Sequence, residues 1–366
     1  MSAPNTTIWP MEPRTRAKHE ILRRYLQAWF PILAKGNSRL VYLDGFAGPG
    51  RYSNGEEGSP IIALQAARAQ YAHLGQSEPV FVFVEEDPER AKHLETVEVP
   101  ALKLPKHFRV QVSVGNFEGV MTALLDQLDA RNLQLAPTFA LIDPFGITGI
   151  PMRLISRLLK RRSCEVLITF MTHTIQRFVT ELPEHTNTLI GSADAAEKIR
   201  AAANRVHTAR QLYREELGKT ARFVHFFSMY STQGSPIYDL FFATNHPLGF
   251  VRMKEAMWLV DRSGAFSLHE GTDPNQLTML SPTPELHLAS ELGRAFAGRK
   301  VGAKVLRRFV DEETSFIGSH LTKALKLLES DGAIIVEAVK LDGSRRRKGT
   351  YPEGATVQFL AAGEKT

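Results

Sequence analysis

Arg39-Leu40-Val41-Tyr42-Leu43-Asp44-Gly45-Phe46-Ala47-Gly48-Pro49-Gly50 is the stretch that decides the fold. An apolar, aromatic-bearing run stops abruptly at small residues, which reads as a buried strand entering a glycine turn. Moving outward, the same unit recurs. Apolar strands are predicted at residues 79–85, 108–114, 138–142 and 165–171. Helices are predicted between them at 58–70, 88–96, 117–128 and 151–160. Strands alternating with full-length helical crossovers imply a parallel sheet covered on both faces, an α/β Rossmann-like architecture.

After the fifth strand the rhythm changes. Residues 175–219 are polar and helical and are read as an insertion over the sheet. Residues 223–231 and 236–244 are two strands joined by Thr232-Gln233-Gly234-Ser235, a link short enough to force an antiparallel hairpin. A parallel sheet closed by an antiparallel hairpin resembles the class I methyltransferases. Residues 249–260 close that domain as a helix. Before it, residues 1–16 read as a loose arm and 17–35 as an amphipathic helix whose stripe holds Ile21, Leu22, Tyr25, Leu26 and Trp29, with Pro31 expected to bend or end it. The expected organisation is therefore an arm and helix (1–38), a methyltransferase-like domain (39–262), a turn-rich linker (263–285) and a second unit (286–366).

In an open parallel sheet, ligands bind beyond the carboxyl ends of the strands, and the most unusual residues of the chain fall there. Asp44, Phe46, Ala47, Gly48, Gly50 and Tyr52 form the first such loop. The dinucleotide pattern G-x-G-x-x-G is absent, because Ser53 stands at the third glycine. D-x-F-A-G-x-G looks instead like the loop that holds the methionine part of S-adenosylmethionine; a plain tight turn is the alternative. Glu85 ends the second strand, where a carboxylate can accept from ribose hydroxyls. Asn116 follows the third strand and suits either an adenine edge or a helix cap. Asp143, Pro144 and Phe145 end the fourth. Asp143-Pro144-Phe145-Gly146 resembles the D-P-P-Y motif of amino-methyltransferases, but Phe145 replaces the second proline and Gly146 the aromatic. His173, after the fifth strand, is a candidate general base. Lys18 can reach this end of the sheet from the first helix, although a solvated lysine explains it equally.

Taken together, Lys18-His19-Glu20-Ile21-Leu22, the loop from Tyr42 to Tyr52, Gly58-Ser59-Pro60, Asp143-Pro144-Phe145-Gly146, Gly149-Ile150-Pro151 and Met257-Trp258 resemble the three-Cys-motif partner proteins (TcmP). The resemblance runs through nearly the whole chain. It implies a bacterial methyltransferase-like protein that uses S-adenosylmethionine and is paired with a second protein bearing a three-cysteine motif.

The C-terminal unit shows a helix at 301–309, a turn, a helix at 317–330, then strands at 333–339 and 356–360 around a basic turn. That order predicts a winged helix-turn-helix, whose second helix enters the major groove while the wing touches the backbone. Lys323 and Lys326 lie on the polar face of that helix. Arg345, Arg346, Arg347 and Lys348 form the wing tip, where phosphate is the natural partner. A docking role is the alternative.

Bulk composition sets looser bounds. The 366 residues carry 45 Lys and Arg against 39 Asp and Glu, a net +6 that permits an anionic partner without requiring one. A single cysteine, Cys164, excludes an internal disulfide and a multi-thiolate zinc site, and the histidine spacing suggests no structural metal. No apolar run suits a signal peptide or a membrane span, so a cytoplasmic protein is expected.

Overall fold

The structure, a computed structural model, describes residues 6–261, 266–269, 283–337 and 346–360. Contacts divide the chain into two compact units, one of residues 1–260 with 267–272 and one of residues 261–266 with 273–366.

The first unit is mixed α/β with a large, mostly parallel sheet. Its strands are β1 (Arg39–Asp44), β2 (Glu78–Glu85), β3 (Arg109–Val114), β4 (Thr138–Ile142), β5 (Cys164–Phe170), β6 (Phe223–Tyr230), β7 (Pro236–Thr244) and β8 (Ser267–His269), in the order β3-β2-β1-β4-β5-β7-β6-β8. β1 to β5 run parallel, and β7 enters antiparallel between β5 and β6. This is a Rossmann-like sheet ending in the antiparallel hairpin that the Thr232–Ser235 link requires. The strand reversal beside β1 puts the loops after β1 and β4 at one crevice. β4 and β5 are buried at every position, as expected where helices cover both faces. The rings of Tyr42 and Phe139, stacked 6.0 Å apart, belong to this core.

Several elements differ from expectation. The first helix runs Pro13–Ala34, so the end of the predicted arm is helical and Pro31 lies inside the helix without ending it. The helix Pro88–His93 continues as a π-helical turn, Leu94–Glu98. β8 lies in the stretch read as linker and pairs parallel with β6; three residues are too few to show a period. The helical insertion consists of Thr172–Phe178, Pro183–Ile190, Ala195–Ala201 and Arg205–Gly218.

The register of the first helix matters for the site. Its buried stripe packs against the helices Ser59–Ala69 and Pro247–Val260. Near its C-terminal half, Tyr25 Oη (2.6 Å) and Trp29 Nε1 (2.9 Å) both donate to the Glu165 carboxylate, which also accepts from Thr244 Oγ1 (2.8 Å). Glu165 is buried at the start of β5, and a buried carboxylate is tolerable only with such partners. Lys18 precedes Tyr25 by seven residues on the same helical stripe, about 10 Å along the axis. Fixing Tyr25 at the amino end of β5 therefore delivers Lys18 to the carboxyl end.

The second unit contains the helix Pro284–Ala295, β9 (Lys300–Gly302), the helices Ala303–Glu313 and Gly318–Ser330, then β10 (Ile334–Glu337) and β11 (Thr356–Phe359). The sheet order is β10-β11-β9, all antiparallel. β9 occupies residues expected to begin a helix. Leu288, Leu292, Leu306, Val310, Leu325 and Phe359 are among the residues of one core.

Candidate active site

A cavity of about 340 Å³ opens at the carboxyl ends of the first unit's strands, within the range of small-molecule sites. Its walls come from the first helix (Lys18, His19), the loop after β1 (Phe46 to Tyr52), the loop after β4 (Asp143, Pro144, Phe145), the end of β5 (Thr169, Met171) and Tyr238 on β7. Trp9, from the segment before the first helix, completes it.

The glycine loop takes its shape from backbone requirements. Gly48 (φ 64°) and Gly50 (φ 93°) occupy the left-handed region that favours glycine. A Cβ on Gly58 would lie 2.8 Å from the Gly50 carbonyl oxygen, so the loop can close on itself only with glycine there. The Gly48 N–H donates to Glu85 Oε2 at 2.8 Å, and Asp87 N–H donates to Glu85 Oε1 at 3.0 Å. Glu85 is buried and does not line the cavity; its carboxylate braces the loop instead.

Two other predicted contacts also serve the backbone. Asp44 is fully buried, with Oδ1 accepting from Phe46 N–H (3.2 Å) and Oδ2 from Tyr42 Oη (3.3 Å). Burial pushes its carboxyl up to about 7, against the opposing bonds from Ser59, Phe46 and Tyr42 and with the nearby Asp143 charge adding to the rise. Asn116 caps the helix Phe117–Ala130, its Oδ1 accepting from Gly119 N–H at 2.7 Å. Neither residue lines the cavity.

Asp143 does line it. Thr169 Oγ1 donates to Asp143 Oδ1 (2.6 Å), and the Lys18 ammonium donates to Oδ2. Burial alone would raise the Asp143 carboxyl, but Lys18 and the Thr169 bond outweigh it and hold it below its ordinary value. Asp143 is thus a paired carboxylate. Beside it, burial and the Lys18 charge push the His19 imidazole down to about 3, so it is neutral at pH 7. His19 Nδ1 is buried with no hydrogen-bond partner among the described residues.

Aromatic side chains cluster at the mouth. The Trp9 ring lies 6.0 Å from both Tyr52 and Phe145, with the Arg90 guanidinium 4.9 Å from its centre. The Trp9 carbonyl accepts from Ser53 N–H (2.9 Å), and Arg90 donates to the Thr6 carbonyl (3.2 Å). These bonds hold the segment before the first helix over the glycine loop.

Of the predicted residues, the fold brings Phe46, Ala47, Gly48, Gly50, Tyr52, Asp143, Pro144 and Phe145 to one cavity. His173 sits in the first turn of Thr172–Phe178, exposed and outside that lining, so the geometry does not support it as a general base. Trp9, Thr169 and Tyr238 carry no signal in the sequence that marks them as site residues, and His19 stands out there only as a neighbour of Lys18 in the resemblance. Lys18 is a candidate there, although nothing in the sequence shows its burial.

No family model matches the chain, and no curated protein matches its sequence. Solved structures do match. Human methyltransferase-like protein 13, in complex with SAH, aligns over 66% of this chain and 89% of its own, at 11% identity and a TM-score of 0.36. Spermidine synthase from Thermotoga maritima aligns over 63% of this chain and 61% of its own, at 11% identity and a TM-score of 0.33. A provisional methyltransferase from Porphyromonas gingivalis W83 aligns over 57% of this chain at 13% identity and a TM-score of 0.27, and the match spans only 37% of that protein.

Proposed function

We propose that the chain is an S-adenosylmethionine-dependent methyltransferase of class I type that acts on nucleic acid, in company with a three-Cys-motif partner. The observation that carries this reading is the single cavity walled by the Phe46–Gly50 loop on one side and Asp143-Pro144-Phe145 on the other. When bound, the cofactor supplies an electrophilic methyl group on sulfur. The residues of the chain do the positioning. Gly48 and Gly50, which carry no side chains, let the amino-acid end of the cofactor approach the loop closely, and Glu85 fixes the loop from behind through the Gly48 N–H. Phe145, 37% exposed, offers a ring on which a planar acceptor can stack. Trp9 and Arg90 cover the mouth and limit water, while Lys18 and Thr169 fix the rotamer of Asp143 beside the acceptor. In-line transfer depends above all on such orientation.

Nucleic acid enters this reading through the second unit. Helix, short strand, helix, helix and a two-stranded hairpin is the element order of a winged helix-turn-helix, with Gly318–Ser330 as its recognition helix. Lys326, Arg347 and Lys348 are exposed there. Lys323 is exposed as well but pairs with Glu285 at 2.9 Å. Arg345 lies outside the described residues.

A second reading, a recruiting protein of the same fold that transfers no methyl group, is favoured by one observation: both Asp143 oxygens already accept hydrogen bonds. Calorimetry with S-adenosylmethionine and S-adenosylhomocysteine tests the cofactor assignment, and absence of heat at millimolar ligand refutes it. Labelled S-adenosylmethionine with mixed cellular DNA and RNA separates the two readings: label in nucleic acid supports the enzyme, and cofactor binding without label supports the recruiter.

A further inference from the structure

The cavity holds a buried pair of opposite charges on one wall, Lys18 and Asp143. Its other lining charges are Glu12 and Arg51, and Arg51 is committed to Glu98 (3.0 Å) and the Gly55 carbonyl (3.2 Å). Lys18 differs. Its side chain is 8% exposed, its ammonium carries three donors, and its ion pair is with a group that itself faces the cavity. A buried ammonium needs more than one acceptor. The Tyr238 ring, 5.7 Å from Nζ, adds attraction without accepting an N–H bond in the usual sense.

An α-amino acid is a zwitterion, with a carboxylate and an ammonium one carbon apart. The wall presents the complementary arrangement: a cation with spare donors next to a carboxylate with spare lone pairs, beside glycines that let a ligand approach the backbone. We propose that Lys18 is the carboxylate anchor of this site and that Asp143 receives the neighbouring ammonium, so that the pair recognises the amino-acid end of the ligand. This rests on the cofactor reading above. It moves the role of Asp143 from orienting an acceptor amine to holding the cofactor, which agrees with both of its oxygens already accepting hydrogen bonds, from Lys18 and Thr169.

The test compares two ligands by calorimetry: S-adenosylhomocysteine, and S-adenosyl-3-thiopropylamine, which keeps the ammonium and lacks the carboxylate. The wild type should prefer the first by about tenfold or more, the scale of one charge-assisted hydrogen bond. Lys18→Met should erase that preference, because the ammonium contact common to both ligands cancels in the ratio. Lys18→Arg should retain most of it, which keeps the inference testable if Lys18→Met folds poorly. A preference unchanged in Lys18→Met, or absent from the wild type, overturns the assignment of Lys18 and leaves the cofactor reading standing. Binding of neither ligand to the wild type overturns both. An acidic acceptor held by Lys18 would appear as the first of these failures.

Discussion

Lys18 and Asp143, 125 positions apart in sequence, form one buried ion pair at the mouth of the β4 and β5 strands. The pair links the first helix to the loop after β4, and Lys18 favours the charged state of Asp143. Breaking such a pair by removing one partner strands the remaining charge, at a cost of about 3–5 kcal/mol when both are fully buried. The Asp143 side chain is 24% exposed, so the smaller figure of about 2 kcal/mol is expected for Asp143→Leu.

Thermal unfolding measures that loss. Asp143→Leu should lower Tm by several degrees, and the double variant Lys18→Met/Asp143→Leu should recover part of it because no unpaired charge remains. Equal melting temperatures for wild type and Asp143→Leu would show that the pair contributes nothing to the fold. Nothing near Asp143 in the chain reveals its partner, which lies 125 positions away.

Asp44 makes a pH-dependent contribution whose sign follows from burial. Its carboxyl is pushed from 3.8 to about 7 in the folded chain. Between those values the native state binds a proton that the unfolded state has released, so stability falls as pH rises through the window and stays reduced above it. Asp44→Asn should therefore lose less stability than the wild type between pH 5 and pH 8 in urea denaturation. His19 and His225, both pushed down to about 3 chiefly by burial, act with the opposite sign between about 3 and 6.5, but they are present in both proteins and cancel in the comparison. Identical pH slopes would refute the elevated Asp44 value.

Trp9 should report ligand binding. It lies over the Gly48 loop with Tyr52, Phe145 and Arg90 around it, whereas the other two tryptophans, Trp29 and Trp258, are buried elsewhere in the first unit. S-adenosylhomocysteine should change the intrinsic fluorescence of the wild type, and Trp9→Phe should abolish most of that change. An undiminished signal in Trp9→Phe would place the ligand away from this mouth.

What was legible in the sequence depended on range. β4 and β5 were readable because every residue of each strand is buried, which leaves short, mostly apolar runs, with Glu165 and Thr169 as the polar exceptions in β5. The hairpin of β6 and β7 was readable because its four-residue link permits no other connection. β8 and β9, at three residues each, carry no period to detect. The loop residues were found by their place at strand ends, but residue type does not say which way an oxygen is spent. Glu85 and Asn116 were suited to a ligand, yet their oxygens accept backbone N–H groups. Lys18 depended on a longer chain of cause: its position follows from Glu165 fixing Tyr25 and Trp29, a relationship between residues 140 and 136 positions apart.

The basic turn of the second unit separates into residues with different work, and mutation should reveal this. Arg346 and Glu329 are an ion pair with both side chains 11% exposed, and Glu329 also accepts from Tyr351 Oη (2.8 Å) and Gly349 N–H (3.2 Å). Arg346 is thereby committed to fastening the turn onto the helix Gly318–Ser330, and it is poorly placed to neutralise phosphate as the sequence suggested. Arg347 and Lys348 are exposed. If the unit binds duplex DNA, each phosphate contact contributes about −0.9 to the slope of log K against log salt. Arg347→Ala/Lys348→Ala should flatten that slope by roughly one to two units while leaving Tm within a degree or so. Arg346→Ala should do the reverse: it leaves the Glu329 carboxylate without its cation, lowers stability by about 1–3 kcal/mol, and at temperatures where the unit is folded keeps the salt slope. Fluorescence anisotropy with a labelled duplex at several salt concentrations, paired with thermal melts, reads both effects. A slope that flattens for Arg346→Ala with no change in Tm would return that residue to the phosphate contacts and remove it from the fold of the turn.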